Sequence, residues 1–359
     1  MKWFSPLFLA LFLLGTPPEE IAQGLLKMQL PNGAIPDAPG WKACNTDSNM
    51  EYALLGLAAS YWKWGERKYS ESLRKGILWL ARTEIMEGRF RGAWWYSYDC
   101  RSLKPLRRDV VGVDSTSALF IYLAWLYDTL TSEHSLVGRL EPNIKAAFSF
   151  LLKSRMGNGF FNNSWVMKEG QYRRINFAYS TDQADVYLGI YAAWRLLKVP
   201  AGGVGLWLEN NIWRLFNLEK GFFFLGISGD DEPEDINSPW EAFNQGYLAW
   251  AFGPNPLTAS SLGWLESHQE EDGGIRIFAE EERFTLPAIA YAMGMGRIGI
   301  RGEPRVSKAL DWVIEKACHK GGIRDTEGKA SPCFVNLAGL YLIAWTNFPP
   351  FADSRVHHR

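Results

Sequence analysis

The sequence predicts an all-α protein in which six helical hairpins close into a ring, the (α/α)6 toroid. Along the 359 residues, an amphipathic segment, a glycine-containing turn and an almost wholly apolar segment follow one another six times. The apolar segments begin 45 to 68 residues apart, which accommodates two helices and two loops per unit. Their starts lie near Asp47, Asp114, Asp182, Trp240, Thr285 and Pro332.

The first segment of each unit is predicted to be an outer helix with one face in water. In the second unit, Leu73, Ile77 and Leu80 recur at helical spacing, with Arg74 and Lys75 between them. This period places the apolar residues on one stripe and the charges on the opposite face. We therefore expect the six amphipathic helices to surround the ring.

The second segments are predicted to be inner helices, because they are apolar on every side. Residues 53–59, 118–125 and 337–344 contain no charge, and a helix without a polar face is buried all round. Each glycine turn leads from an outer to an inner helix, so all inner helices begin at the same rim. The turns comprise residues 30–33, 86–90, 157–161, 220–223, 271–275 and 320–323. Strand signals are confined to residues 221–227.

The chain is predicted to hold a single toroid domain over residues 16–359, since no linker or charge run divides the repeat. Residues 1–15 have Lys2 before a short apolar run that ends at Leu14. This pattern is typical of a secretory signal peptide and too short for a stable membrane anchor. We expect a secreted or extracytoplasmic protein, with tethering by this N-terminal apolar segment as the alternative.

The four cysteines favour two disulfides in an exported protein. Cys44 and Cys100 lie in equivalent turns of the first two hairpins, and Cys318 and Cys333 flank the sixth turn. Pairing within each set would clamp loops on the same rim. Free thiols are the alternative for a cytosolic protein.

Charge and motifs argue against nucleotide chemistry. The 38 basic and 39 acidic residues leave a net charge of −1, and no basic stripe or glycine-rich phosphate loop is present. We expect no nucleic-acid partner, no cofactor and no stable membrane span in the mature chain. The sequence does not specify an oligomeric state.

Carboxylates gather at the inner-helix starts of the first four hairpins. Paired carboxyls suit glycosidic bond cleavage, because a neutral one protonates the leaving oxygen while an ionised one activates water or attacks the anomeric carbon. Asp114, at a helix N-terminus, suits the ionised role, and Asp185, deeper and beside Asp182, suits the acid role. The predicted catalytic residues are Asp114, Asp182, Asp185 and Glu241.

Aromatic and polar residues of the turns are predicted to bind a sugar, since pyranose rings stack on flat side chains. The predicted substrate-binding residues are Asp47, Glu51, Trp94, Trp95, Tyr98, Trp165, Tyr179, Gln183, Trp240 and Asn244. Two alternatives compete with this interpretation. The aromatics could pack between loops, and Ser48, Ser180 and Ser238 each begin a capping-box pattern that would use the polar residues only to cap helices.

The hairpin count, the acidic inner-helix starts and the aromatic turns resemble the six-hairpin (α/α)6 glycosidases and related polysaccharide-degrading toroids over residues 18–349. The resemblance implies a carbohydrate cleft at the rim and a hydrolytic acid/base pair. We therefore predict a glycoside hydrolase acting on a poly- or oligosaccharide. A non-catalytic carbohydrate-binding toroid and a polysaccharide lyase using Tyr172, Arg173 and Arg174 are alternatives.

A second class of toroid is also similar. Residues 267–274 are close to the glutamine–aspartate–glycine turn of terpenoid cyclases and protein prenyltransferases, and residues 230–235 resemble an acidic diphosphate site. Pro233 breaks helical presentation of those acids, and no DxDD motif is present, so a cyclase-like enzyme is the less favoured alternative. Cys318 and His319 are similar to part of the zinc site of lanthionine cyclases, but hairpin five has no second cysteine, and we predict no metal.

Overall fold

The structure, a computed structural model, describes residues 17–199, 202–279, 282–319, 322–328 and 332–351. These residues form six helical hairpins in a ring, which confirms the predicted (α/α)6 fold. The segment predicted as a signal peptide, residues 1–15, lies outside the described residues.

Outer and inner helices alternate along the chain. The outer helices are α1 (Pro17–Met28), α3 (Arg67–Thr83), α5 (His134–Lys153), α7 (Gly202–Asn211), α9 (Pro256–Ser267) and α11 (Pro304–Ala317). The inner helices are α2 (Asn49–Trp64), α4 (Asp114–Thr131), α6 (Ser180–Leu197), α8 (Phe243–Phe252), α10 (Thr285–Arg297) and α12 (Val335–Thr346). A 3-10 turn, Pro239–Ala242, leads directly into α8.

Burial follows the predicted pattern. In α3, Leu73, Ile77 and Leu80 are buried while Lys75 faces solvent. In α4, every residue from Asp114 to Tyr127 is buried. The inner helices therefore form the core, and the outer helices cover it with their apolar stripes.

Small residues bring three pairs of inner helices unusually close together. A Cβ added to Gly339 of α12 would lie 1.9 Å from the Tyr52 carbonyl oxygen of α2. Equivalent contacts join α6 to α4 at Gly189 and α8 to α10 at Gly246, where an added Cβ would meet neighbouring backbone at 2.6 and 1.9 Å. The ring thus contains three tightly packed pairs, one of which closes the last helix onto the first inner helix.

The glycine turns, which lead from an outer to an inner helix, also pack against the outer helix of the next hairpin. Gly33 and Gly273 have φ of 99° and 100°, and each lies against a backbone carbonyl of the following outer helix. Gln29 and Gln269 fasten these turns alike, each donating to the turn glycine and to a carbonyl of the neighbouring helix. The turn at 267–274, which resembles that of cyclases, therefore has a structural role, and the turn of hairpin one makes the same contacts.

The rim loops contain more strand than the sequence predicted. One antiparallel sheet runs in the order β1 (Ala43–Asn45), β2 (Trp95–Asp99), β3 (Pro105–Val111), β4 (Trp165–Lys168) and β5 (Gln171–Arg174). Three smaller sheets use β6 (Phe177–Tyr179), β7 (Phe216–Asn217), β8 (Phe222–Phe223), β9 (Gly226–Ser228), β10 (Pro233–Glu234), β11 (Cys318–His319), β12 (Gly322–Arg324) and β13 (Cys333–Phe334). Three pairings join loops of different hairpins, β1 with β2, β3 with β4 and β6 with β9, and local sequence does not reveal such pairing.

Two of the three predicted capping boxes do not form. Ser48 adopts φ 67° and makes no cap hydrogen bond, and Ser180 is already the first residue of its helix, with its hydroxyl donating to the Phe224 carbonyl. At the third, Pro239 occupies the first turn and Glu241 accepts from the Ser238 backbone N–H at 3.1 Å. Among the described residues, no helix is long and apolar enough to span a bilayer.

Candidate active site

The starts of the first three inner helices bring five carboxyl groups together at one rim. Asp47 lies two residues before α2, Asp114 opens α4, and Asp182 lies in the first turn of α6. Glu51 and Asp185 lie one turn deeper on α2 and α6. The charges of Asp47 and Asp182 both contribute to the raised pKa of Asp114, so these groups are electrostatic neighbours.

Asp47 and Asp182 are the two accessible members of this acidic cluster. Burial raises the pKa of Asp47 to about 6. Burial, followed by the charge of Asp47, raises the pKa of Asp182 to about 7, against a hydrogen bond from Asn163 that lowers it. Asp47 is partly exposed and Asp182 is 9% exposed, whereas Glu51, Asp114 and Asp185 are fully buried. Two carboxyls with pKa values raised toward neutrality therefore keep some exposure at this rim.

The three buried acids are driven toward the neutral form. Burial is the main cause that raises the pKa of Glu51, Asp114 and Asp185 well above its ordinary value. Neither carboxyl oxygen of Glu51 has a hydrogen-bond partner in another described residue, and Oδ2 of Asp114 has none. Buried oxygens without partners are costly, and in a cleft they are ready acceptors or donors for ligand hydroxyls.

Asp185 forms the floor of the cleft. It accepts hydrogen bonds from the hydroxyls of Tyr52 at 3.1 Å and Tyr247 at 2.5 Å. The two tyrosines come from hairpins one and four, which are opposite in a ring of six, and their rings lie 5.6 Å apart. Both oxygens of Asp185 are engaged and no part of it is exposed. The catalytic acid role predicted for Asp185 therefore does not fit this geometry.

The hydrogen bonds of Glu241, which was predicted to be catalytic, indicate a capping role. Its Oε2 accepts from the backbone N–H groups of Asn237 at 2.5 Å and Ser238 at 3.1 Å. These bonds fix the 3-10 turn before α8 and commit the carboxylate to capping.

Two predicted substrate-binding amides instead clamp the rim loops. Gln183 accepts from the Phe161 N–H at 2.9 Å and donates to the Phe161 carbonyl at 3.1 Å. Gln245 holds Phe223 in the same way one hairpin later. Asn244 donates to the Phe224 carbonyl at 3.0 Å. The prediction of substrate binding for Gln183 and Asn244 is therefore corrected to a structural role.

Three of the predicted substrate-binding aromatics lie in the core. Trp94 and Tyr98 are 1% and 2% exposed and donate to the carbonyls of Leu80 and Thr83. Trp165 is buried against Phe150 in a second apolar cluster under the sheet. These rings pack between loop and helix, the alternative that the sequence left open.

Trp95 and Tyr179 remain near the acidic cluster. Trp95 is partly buried and packs on Tyr172. Burial, and then the charge of Asp182, raise the pKa of Tyr179. Tyr172 donates to the Arg108 carbonyl, and Arg173 pairs with Glu169 at 2.6 Å. The residues proposed for a lyase are thus committed to the exposed β4–β5 hairpin.

Trp240 is 47% exposed and lines a rim cavity of about 300 Å³. The cavity is bounded by the starts of four inner helices and by the sixth rim loop. Its lining residues are Asn49, Trp240, Leu286, Asp325, Phe334, Asn336 and Leu337. Hairpins five and six, which the sequence suggested were peripheral, therefore contribute to the cleft.

A larger cavity of about 890 Å³ lies between α1 and the sixth rim loop. Leu25, Trp41 and Phe334 line it, and its one acidic lining residue, Asp99, is held by Ser102. Among the described residues, neither cavity is lined by a pair of carboxyls, but the smaller one lies among the starts of the inner helices, where the acidic cluster also lies, and is therefore the better candidate.

In the described part of the chain, no Lys or Arg is seen to balance the acidic cluster. Among the described residues, no Lys or Arg is a main cause of the pKa shifts of the five acids. Arg283, on the same rim, is already bound to Glu270, Asp272 and Glu327 at 2.6 to 2.7 Å. The acidic run 230–235 is exposed, and its Asp231 pairs with Arg214 at 2.5 Å, so it does not form a diphosphate site.

Asp37 is a member of the rim that the sequence analysis missed. Burial raises its pKa to about 6, and its charge contributes to the raised pKa of Glu51. Its side chain accepts from the Asn45 N–H at 2.8 Å, while its carbonyl accepts from Val335 of hairpin six. In the sequence it precedes a proline–glycine turn, and therefore reads as an ordinary turn residue.

Cys44 and Cys100 form a disulfide, as predicted, which joins the rim loops of hairpins one and two. The second predicted pair is not tested, because the side chain of Cys318 and residues 320–321 and 329–331 lie outside the described part of the chain. The zinc-site resemblance at Cys318 and His319 falls on the same undescribed side chains.

The chain matches no protein-family model and no curated protein, but it is similar to several solved structures. A wild-type glycosidase superimposes with a TM-score of 0.63 at 11% identity, covering 94% of this chain and 98% of that one. The cellobiose 2-epimerase of Spirochaeta thermophila gives 0.65 at 13% identity, covering 91% and 92%. A possible member of the GH105 family from Salmonella enterica gives 0.63 at 13% identity, covering 92% of each chain. At these identities the likeness establishes the toroid fold.

Proposed function

We propose that the protein is a glycoside hydrolase in which Asp182 is the general acid and Asp47 the base or nucleophile. The observation that carries this proposal is that Asp47, just before α2, and Asp182, in the first turn of α6, are electrostatic neighbours at one rim and keep some exposure, with pKa values raised to about 6 and about 7. At a pH between these values Asp182 keeps a proton while Asp47 has lost one. That is the division of labour that glycosidic cleavage requires.

Each acid has a distinct task. Asp182 donates its proton to the glycosidic oxygen as the bond to the anomeric carbon breaks. Asp47, ionised, removes a proton from an attacking water or attacks the anomeric carbon itself. Asp114 and Glu51 are fully buried in this arrangement and do not contact the substrate, while Asp185 fixes α6 against α2 and α8 through Tyr52 and Tyr247.

The test is reducing-sugar release across a panel of neutral, amino and acidic polysaccharides, with wild type and two isosteric variants. We expect Asp47→Asn and Asp182→Asn each to lower kcat/KM by roughly 10²- to 10⁴-fold on the substrate that wild type cleaves, because each removes a proton-transfer group. Asp230→Asn, an exposed acid of the β9–β10 loop, is the matched control and should retain full activity.

Circular dichroism of each variant establishes that loss of activity is not loss of fold. Hydrolysis that survives both substitutions within tenfold would contradict the assignment of the pair. Binding of a sugar by a wild type that cleaves nothing would instead identify a non-catalytic carbohydrate-binding toroid.

We also infer that the protein works outside the cytoplasm. The Cys44–Cys100 bond supports this, since disulfides persist mainly in oxidising compartments. Cell fractionation of the native host, with thiol labelling of the two cysteines, tests it. Recovery of the reduced protein from the cytosol would contradict the inference.

A further inference from the structure

The cavity lined by Trp240 lies at the rim where the inner helices begin. Asn49, in its lining, follows Asp47 by two residues and begins α2. The rest of the lining comes from hairpins four, five and six. A ligand in the cavity would therefore contact the start of α2, close in the chain to Asp47.

The lining has the two-sided chemistry of a sugar-binding surface. Trp240 is 47% exposed, and Leu286, Phe334 and Leu337 add apolar surface around the same space. A flat indole face left in water matches the apolar face of a pyranose ring. The polar part of the lining is Asn336, whose Oδ1 is buried without a hydrogen-bond partner in the described structure. An orphan amide oxygen accepts a ligand hydroxyl at little further cost in desolvation.

The size of the cavity limits what it can hold. About 300 Å³ is at the lower end of the roughly 300–1,000 Å³ common for small-molecule sites. This volume accommodates one sugar ring rather than several. Longer substrates must therefore extend from it toward the acidic cluster.

Charge disfavours an acidic sugar in the cavity. Among the described residues, the lining contains no Lys or Arg, and the carboxyl of Asp37 is hydrogen-bonded to Asn49, two residues after Asp47. Arg283, on the same rim, is already held by three carboxylates. A uronic acid carboxylate would lie near the Asp37 and Asp47 carboxyls without a counter-ion from the described lining, which disfavours its binding.

We propose that the cavity bounded by Trp240, Phe334 and Asn336 is a subsite for one uncharged pyranose ring, and that it rejects uronic acids. The proposal rests on the glycoside hydrolase function proposed above and specifies its substrate class. The sugar stacks on Trp240, donates a hydrogen bond from a hydroxyl to Asn336, and presents its glycosidic bond to Asp47 and Asp182.

The proposal is tested by calorimetric binding to the full chain carrying Asp182→Asn, so that hydrolysis does not interfere. The probes are cellotriose, mannotriose, maltotriose and tri-N-acetylchitotriose against trigalacturonic acid. We expect at least one neutral probe to bind at least tenfold tighter than the uronide. Adding Trp240→Ala or Asn336→Ala should weaken that probe at least tenfold, and Trp240→Phe should restore part of the affinity.

The matched control is Trp213→Ala, which removes another exposed tryptophan, 57% exposed, that does not line the cavity. It should bind like its parent. In the active enzyme, Trp240→Ala should raise KM at least tenfold and lower kcat by less than threefold, the signature of a binding residue.

The outcomes separate the two proposals. If the enzyme hydrolyses a glycan and Trp240→Ala binds it within twofold of its parent, or if the uronide binds as tightly as the neutral probes, the subsite is wrong while the hydrolase assignment stands. If wild type hydrolyses no glycan but its sugar binding depends on Trp240, the hydrolase assignment fails and the subsite stands. Absence of binding to any probe overturns both.

Discussion

At the scale of single residues, burial decides how similar side chains behave. Asp47, Glu51, Asp182 and Asp185 are all acids at helix starts, where the helix dipole favours the ionised form. Burial opposes the dipole and outweighs it, because the pKa of each group is raised. The four acids differ in solvent exposure, and only Asp47 and Asp182 keep any.

The two accessible acids predict a narrow, bell-shaped pH dependence of kcat/KM. Activity should rise as Asp47 ionises near pH 6 and fall as Asp182 deprotonates near pH 7. Because the groups interact, the two limbs belong to the coupled cluster rather than to either residue alone. The measurement is kcat/KM from pH 4 to pH 9. Activity that increases steadily up to pH 9 would contradict an acid role for Asp182.

At the scale of elements, the ring is assembled from helix pairs that glycine allows to touch. Gly56 and Gly339 face each other where α2 meets α12, so closure of the ring depends on the absence of side chains there. Gly189 and Gly246 do the same between the other close pairs. Since α2 also presents Asp47, Glu51 and Tyr52, this closing contact sets the position of half the active site.

Replacing Gly339 by alanine should destabilise the protein by about 1–3 kcal/mol or more, because the new methyl would lie 1.9 Å from the Tyr52 carbonyl. Gly138→Ala in α5 is the matched control. That position has no neighbour within 4 Å, so alanine should be neutral or stabilise the helix by about 0.5–1 kcal/mol. Urea unfolding of the two variants gives the comparison, and equal stabilities would contradict the packing argument.

At the scale of the whole molecule, the disulfide and the buried acids affect stability in opposite directions. Cys44–Cys100 closes a segment with a sequence separation of 56 residues and so restricts the unfolded chain. The acidic cluster concentrates groups that resist ionisation in the folded state. The protein accepts this cost at its proposed active site, a common trade of stability for activity.

Removal of the disulfide in Cys44→Ala/Cys100→Ala should lower the free energy of unfolding by up to about 4 kcal/mol, from the lost restriction of the unfolded chain. Thermal unfolding with and without reductant measures this. Wild type should lose stability on reduction and the double variant should not respond. A wild type that is insensitive to complete reduction would contradict the prediction.

Stability should fall as pH rises through the pKa values of the folded cluster. The unfolded chain releases these protons near pH 4, whereas folded Asp47 and Asp182 hold theirs until about pH 6 and about pH 7. Between these limits the unfolded state binds fewer protons, so the free energy of unfolding decreases with pH. The destabilisation caused by these two groups is therefore absent below pH 4 and complete above pH 7.

Asp182→Asn removes one of these groups and should be more stable than wild type at pH 8, by up to roughly 4 kcal/mol for a shift of about three pKa units. The gain should disappear at pH 4. Urea titrations at both pH values test this, with Asp230→Asn as the control. An Asp182→Asn protein that is less stable than wild type at pH 8 would contradict the assigned pKa.

The sequence alone determined the ring and the rim where acids collect. Helical periodicity in residues such as Leu73, Ile77 and Leu80 is a local property, and so is the contrast between amphipathic and wholly apolar segments. Carboxylates at inner-helix starts could be identified for the same reason. Asp47, Asp114 and Asp182 lie at or just before inner-helix starts, as the local pattern predicted, and their roles belong to the proposal above.

Only the tertiary structure decided which residues reach the cleft. Trp94 and Tyr98 lie in the core, Asp185 is sealed beneath Tyr52 and Tyr247, and Asp37 joins the rim through hairpin six. The cavity at Trp240 and Asn336 combines residues from four hairpins. Burial and such contacts arise when distant segments meet on closure of the ring, and no local pattern encodes how deep each side chain will lie.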